Sequence, residues 1–109
     1  MSADYWLEVD TGGSEPVTVS ETFSVTYNLG PMLRAAGFPS WKELVGVPVS
    51  DAAVLLAGVG ETLRSERERL ATEYAPANGW GSWQWAVDFV ETFRSACSDN
   101  PKAIVGGWL

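Results

Sequence analysis

Trp80, Trp83 and Trp85 fall within one short stretch, Asn78-Gly79-Trp80-Gly81-Ser82-Trp83-Gln84-Trp85. Two kinds of chemistry could use it. Glycines at 79 and 81 reach backbone conformations closed to other residues, and Ser82 can cap a helix whose first N–H groups attract an anion. Asn28-Leu29-Gly30 is a second helix start, and it would offer more free N–H groups beside Tyr27. Tyr27, Asn28, Gly30, Asn78, Gly79, Trp80, Gly81, Ser82 and Trp83 would then surround a flat anionic ligand such as a nucleotide. Alternatively, an exposed indole among them would anchor a protein partner, since tryptophan is enriched at interface hot spots. The structural alternative is that Trp83 and one other indole fill the core while the glycines make the turn.

Other chemistries are thinly supplied. The chain has no histidine, which removes Ser-His-Asp and Cys-His catalysis, His-ligated zinc and the usual neutral-pH acid–base group. Carboxylates or lysine can still do acid–base work. Glu8 and Asp10, however, fall on a polar strand face, and Asp88 and Glu91 on a polar helix face, where charges are normally solvated. Lys42 and Lys102 sit near turns without an apolar flank to depress their pKa. Gly58-Val59-Gly60-Glu61-Thr62 follows an apolar run, as a phosphate-binding turn would. Position 63 is Leu where a dinucleotide fingerprint needs glycine, and no P-loop lysine follows. The structural reading is that Gly58 and Gly60 let a neighbouring element approach a helix, at about 1 kcal/mol each in helix propensity. Cys97 lies on an apolar stripe and reads as a small buried hydrophobe. No cofactor, metal centre or catalytic residue is therefore expected.

The elements that must position these residues follow from periodicity. Tyr5, Leu7 and Val9 alternate with Trp6, Glu8 and Asp10, which describes a half-buried strand. From Val17 to Tyr27 a longer alternation sets Val17, Val19, Phe23, Val25 and Tyr27 against Thr18, Ser20, Thr22, Ser24 and Thr26. Glu21 falls on its apolar face, so a bulge or break is expected there. Four helical segments follow. Asn28 is expected to cap Leu29 to Ala36, and Ser40-Trp41-Lys42-Glu43 has capping-box spacing for a single turn. Ser50-Asp51 should open the longest helix, with Leu55, Leu56, Val59 and Leu63 inward and a charged run leading to Tyr74. Ser82 should open the last, with Ala86, Val87, Val90, Phe93 and Cys97 as its apolar stripe. Ala103-Ile104-Val105 reads as a final strand. The expected fold is α+β, one domain over residues 1–109. A small antiparallel sheet, built from an N-terminal hairpin and a C-terminal strand, is packed on one face by about four helices in the order ββααααβ.

Composition narrows the function. At 46% hydrophobic and 19% charged, the 109 residues suit a globular fold. Fourteen acidic against seven basic residues leave a net charge of −7, which disfavours nucleic-acid binding because that affinity comes from cations on phosphates. Asp4, Glu8, Asp10, Glu15 and Glu21 all precede the first basic residue, Arg34. They are either a solvated, solubilising face or an acidic surface for a basic partner. No apolar run approaches a membrane span. Met1-Ser2-Ala3-Asp4 lacks the basic start of a signal peptide, and the lone Cys97 excludes an intramolecular disulfide, so a cytoplasmic protein is expected.

Three segments carry a resemblance: Thr26-Tyr27-Asn28-Leu29-Gly30-Pro31-Met32, Asn78-Gly79-Trp80-Gly81, and Ala96-Cys97-Ser98-Asp99-Asn100-Pro101. They resemble a group of small uncharacterised proteins of bacteria, notably actinobacteria, and their phages, with "NLG-x-M" and "NGWG" segments. Where relatives often have Tyr after "NGWG-S", this chain has Trp83, and its tail is also atypical. The resemblance implies no mechanism, but a phage or mobile-element setting favours small host-directed binders over metabolic enzymes. Two functions are thus expected. The first is a non-catalytic acidic protein that binds another protein or itself, as an inhibitor or self-assembling accessory factor. The second is a protein that sequesters a nucleotide-like anion at the helix starts after Asn28 and Asn78.

Overall fold

A computed structural model describes residues 2–76 and 81–109. Strand β1 (Ser2–Val9) alternates as its sequence predicts, with Ala3, Tyr5 and Leu7 fully buried beneath the sheet and the residues between them on the open side. It is the central strand. On one edge it pairs antiparallel with β2 (Val17–Thr18) and then β3 (Phe23–Thr26), and on the other with β4 (Ile104–Trp108).

The break expected near Glu21 separates β2 from β3. Three steps along β1, from Glu8 to Tyr5, answer to five along the partner, from Thr18 to Phe23, so two extra residues are accommodated. Ser20 repairs the ladder: its Oγ accepts the Leu7 N–H at 2.8 Å and donates to the Glu21 carbonyl at 2.8 Å. Glu21 thereby escapes the apolar face and is exposed. The same break undoes part of the expected pattern. Phe23 and Val25 are buried, but Val17 and Val19 are 49% and 39% exposed on a hairpin whose main neighbour is β1.

The helices are α1 (Gly30–Ala35), α2 (Val49–Ser65), α3 (Arg67–Glu73) and α4 (Trp83–Asp99), with a 3₁₀ turn at Trp41–Leu44. Their starts correct two expectations. Asn28 caps nothing: it lies inside a 3₁₀ turn, Tyr27–Leu29, where Thr26 Oγ1 accepts its N–H. Ser50 is not the cap of α2 either. Pro48 holds that position, and the first N–H, on Val49, donates to the Ala103 carbonyl at 3.1 Å. The expected start at Ser40 holds, with the Ser40 N–H donating to Glu43 Oε2 at 2.9 Å. The long charged helix is broken at Glu66 (φ −113°, ψ 30°), which makes α2 and α3 two elements.

The core forms where α4 lies across the sheet. Ala86, Val87, Phe89, Val90, Phe93 and Cys97 are all buried, and Phe93 stacks on Phe23 at 5.1 Å and lies tilted against Tyr5 at 5.3 Å. Burial pushes the Cys97 thiol up to about 11, so it stays protonated and apolar at neutral pH. Helix α2 packs along α4, and a Cβ at Gly60 would meet only the movable end of Glu91, 2.9 Å from Oε1, with Val90 at an ordinary 3.6 Å, so the approach does not require the glycine. Gly58 faces open space. Glu91 bridges Arg64 on α2 at 3.0 Å and Arg94 on its own helix at 2.8 Å. The extended loop before α2 covers part of the β4 edge, through Gly46 N–H to the Val105 carbonyl and Val105 N–H to the Val47 carbonyl. The architecture is the α+β arrangement expected, with helices on one face of the antiparallel sheet. Among the described residues no helix is long and apolar enough to cross a membrane.

The hydrogen bond from Arg94 and the charge of Arg64 hold the Glu91 carboxyl below its ordinary value of 4.5. A depressed folded pKa stabilises the fold above that ordinary value and ceases to do so as pH falls through the folded one. Because both arginines are substantially exposed, the pair contributes on the order of 1 kcal/mol at most. Urea titrations of Glu91→Gln should therefore show a deficit of that order at pH 7 that closes as the pH falls below 4.5. A deficit equal at pH 7 and pH 3 would show that packing alone is at work.

Candidate functional site

Of the nine residues that the sequence marks as a candidate site, Asn78, Gly79 and Trp80 lie outside the described residues. Of the other six, Gly81 meets Thr26 and Leu29 at the end of β3, Tyr27 and Gly30 pack on Trp41, and Trp83 reaches Leu63 on α2. Ser82 caps α4 as expected, its Oγ accepting the Trp85 N–H at 3.2 Å. Gly81 has φ +113°, and a Cβ there would fall 2.9 Å from Leu29 Cγ and 3.2 Å from Thr26 Cγ2, so glycine lets the two elements meet.

Tyr27 and Gly30 are occupied structurally. Trp41 packs over Gly30, with its ring 3.2 Å from where a Cβ would be, and stands 5.6 Å from the Tyr27 ring. Arg34 closes on the same point, its Nη1 also 3.2 Å from where that Cβ would be and its guanidinium 5.7 Å from the Trp41 ring centroid. The Trp41 carbonyl also accepts the Tyr5 hydroxyl at 2.6 Å. Asn28 is exposed and spends its Nδ2 on Thr26 Oγ1. Helix α1 is six residues long and has Pro31, which lacks an N–H, in its first turn.

Trp83 also has a structural task. Its indole N–H donates to the Leu63 carbonyl at 2.7 Å, close to the break between α2 and α3. Arg67, just past the break, lies over the ring at 4.4 Å. One side chain thus satisfies the last turn of α2, holds the first residue of α3 by a cation–π contact and ties both to α4.

Trp85 is the indole left over. It is 54% exposed and lies on the lip of a groove of about 400 Å³ between β3 and α4. Phe23, Val25, Leu29 and Phe89 give the groove its apolar interior, while Glu21 and Asp88 bring carboxylates to it. Among the described residues no lysine or arginine lines it. Trp85, Phe89 and Thr92 follow at helical spacing along the side of α4 facing β3. Phe89, between the exposed Trp85 and Thr92, is buried at 7%. The sequence presents Trp85 as the last of three closely spaced indoles, and it is not among the candidate site residues. Trp108, 76% exposed, stands on the open face of the sheet opposite Asp4 and away from this concavity.

No buried polar or charged side chain occurs among the described residues, nor any group of three His, Cys, Asp or Glu placed to hold a metal ion. The geometry offers recognition of an apolar group next to positive charge. No family model, curated protein or solved structure matches the chain.

The two neighbouring indoles should respond oppositely to mutation. Trp83→Phe strands the Leu63 carbonyl and should cost about 1–3 kcal/mol in urea unfolding. Trp85→Ala, on the surface, should cost less than about 1 kcal/mol. Equal losses would contradict the division between a structural and a free indole.

Proposed function

We propose that this chain is a small, non-catalytic binding protein whose β3–α4 groove takes an apolar side chain from another protein. The observation that carries the reading is Trp85, half exposed on the lip of an apolar groove. Such a ring offers a large contact area at little conformational cost, which is why tryptophan recurs at the centre of interfaces. The net charge of −7 and the carboxylates of Glu21 and Asp88 favour a basic partner over a second acidic copy. The absence of histidine from the chain and of a buried carboxylate pair among the described residues supports a role without catalysis. An inhibitor or accessory factor, in a phage or mobile-element setting and in the cytoplasm, fits such a binder.

A nucleotide-like anion is the poorer occupant, because among the described residues the groove carries two carboxylates and no cation. For the same reason nucleic acid is a poor partner.

The test is selection of linear peptides from a phage-displayed random library on the wild-type protein, with Trp85→Ala as the counter-target. Enriched peptides, made synthetically, should bind the wild type and lose at least about tenfold in affinity on Trp85→Ala. Peptides that bind both proteins equally, or no enrichment, would remove the basis of this reading.

A further inference from the structure

We infer that the groove is filled by strand addition: an extended segment bearing Lys or Arg beside an apolar residue pairs with the outer edge of β3 at Ser24. This rests on the groove as the binding site and adds how the partner's backbone is held.

The direction of the backbone groups follows from the ladder. Leu7 turns both its N–H and its carbonyl towards the β2–β3 side, the first to Ser20 Oγ and the second to the Val19 N–H. Hydrogen-bonding residues alternate along an antiparallel strand, so Tyr5 and Ala3 face the same way. They exchange bonds with their partners Phe23 and Val25. Ser24, between those two, therefore turns its N–H and carbonyl away from β1. Among the described residues nothing bonds to it. An open strand edge is a template for another strand, and main-chain pairing at an edge beside side-chain pockets is an established mode of peptide recognition.

The groove supplies the second half of the recognition. Side chains of an added strand would alternate between the open face, beside the exposed Ser24 side chain, and the helix face. Those on the helix face would drop between β3 and α4, against Phe89 and Trp85. Glu21 and Asp88 would then meet the cations of the partner. Charge also decides against the simplest competitor. Joining two copies through this edge would bring together two chains of net charge −7 and two grooves that, among the described residues, each hold carboxylates and no cation.

Ser24 allows a sharp test, since proline is tolerated on an edge strand where its missing N–H faces outward. The probe is an N-acetylated nine-residue peptide alternating valine and threonine about a central leucine, with lysine at each end. It is titrated into wild-type, Ser24→Pro, Ser24→Ala and Trp85→Ala proteins by calorimetry. Two further versions carry N-methyl groups on one or the other set of alternating backbone nitrogens, and a third has glutamate at both ends.

Strand addition predicts losses of at least about tenfold for Ser24→Pro, Trp85→Ala, one of the two methylated peptides and the glutamate peptide. Ser24→Ala should bind like wild type. The Ser24 amide should gain protection from hydrogen exchange in the complex. Binding that falls with Trp85→Ala but ignores both methylated peptides and Ser24→Pro would overturn strand addition and leave the groove standing. Lysine-peptide binding indifferent to Trp85 would bring down the groove itself. No binding of the lysine peptide at millimolar concentration would also overturn strand addition. So would a concentration-dependent dimer in sedimentation that Ser24→Pro dissociates, which would assign the edge to a second copy. Should Ser24→Pro unfold, the methylated peptides still decide.

Discussion

The seating of Phe93 against Tyr5 and Phe23 is the contact on which the remainder of the structure depends. It joins the central strand, its neighbour and α4 at one point. Phe89 extends the aromatic cluster, 6.2 Å from Tyr5 and 5.8 Å from Phe93. These rings fix α4 against the sheet, and the groove lies beside them between β3 and α4, bordered by the exposed Trp85. The candidate site is thus a consequence of how the core closes.

Much of this was legible in the sequence because it follows from local period. The alternation around Tyr5 and the apolar stripe from Ala86 to Cys97 identify a half-buried strand and an amphipathic helix, and both elements are found. Glu21 on an apolar face announced the break that Ser20 now bridges. What local pattern misses is any partner supplied from far along the chain. Ser50 looks like a cap, but Ala103 provides the carbonyl at the start of α2. Asn28 looks like a cap, but the preceding Thr26 turns the chain first. The indoles show the same limit. Trp83 and Trp85 flank one stripe, and only the break at Glu66 decides which has a carbonyl to bind. The groove lies further still from local pattern, since it depends on the angle of α4 to β3.

The sheet treats its two edges differently. Along β4 the segment before α2 adds backbone bonds at Val105, the first residue of α2 adds one at Ala103, and together they cover that part of the edge. On the open face Trp6 folds over Gly106, where a Cβ would collide with the indole nitrogen, and donates to Glu8 Oε2 at 3.1 Å. There glycine and tryptophan together shield backbone that larger β4 side chains would otherwise cover. Along β3 the described residues supply no such cover to Ser24. The strand is kept short instead, ended by the break at Glu21 and by the turn that Thr26 begins.

An open edge beside an apolar groove is a liability in any soluble chain, because it accepts strands without discrimination. Here the liability and its remedy share residues. The carboxylates of Glu21 and Asp88 border the groove, and a chain of net charge −7 repels its own copies. Self-pairing, the commonest misuse of such an edge, is therefore opposed at long range and again at contact. In the strand addition proposed above, a basic strand would meet the reverse of both terms, drawn in by the net charge and met by the same two carboxylates. The excess of acid, which by composition alone could be a bland solvated surface, would there gain a specific use, since two of its members border the groove beside Trp85.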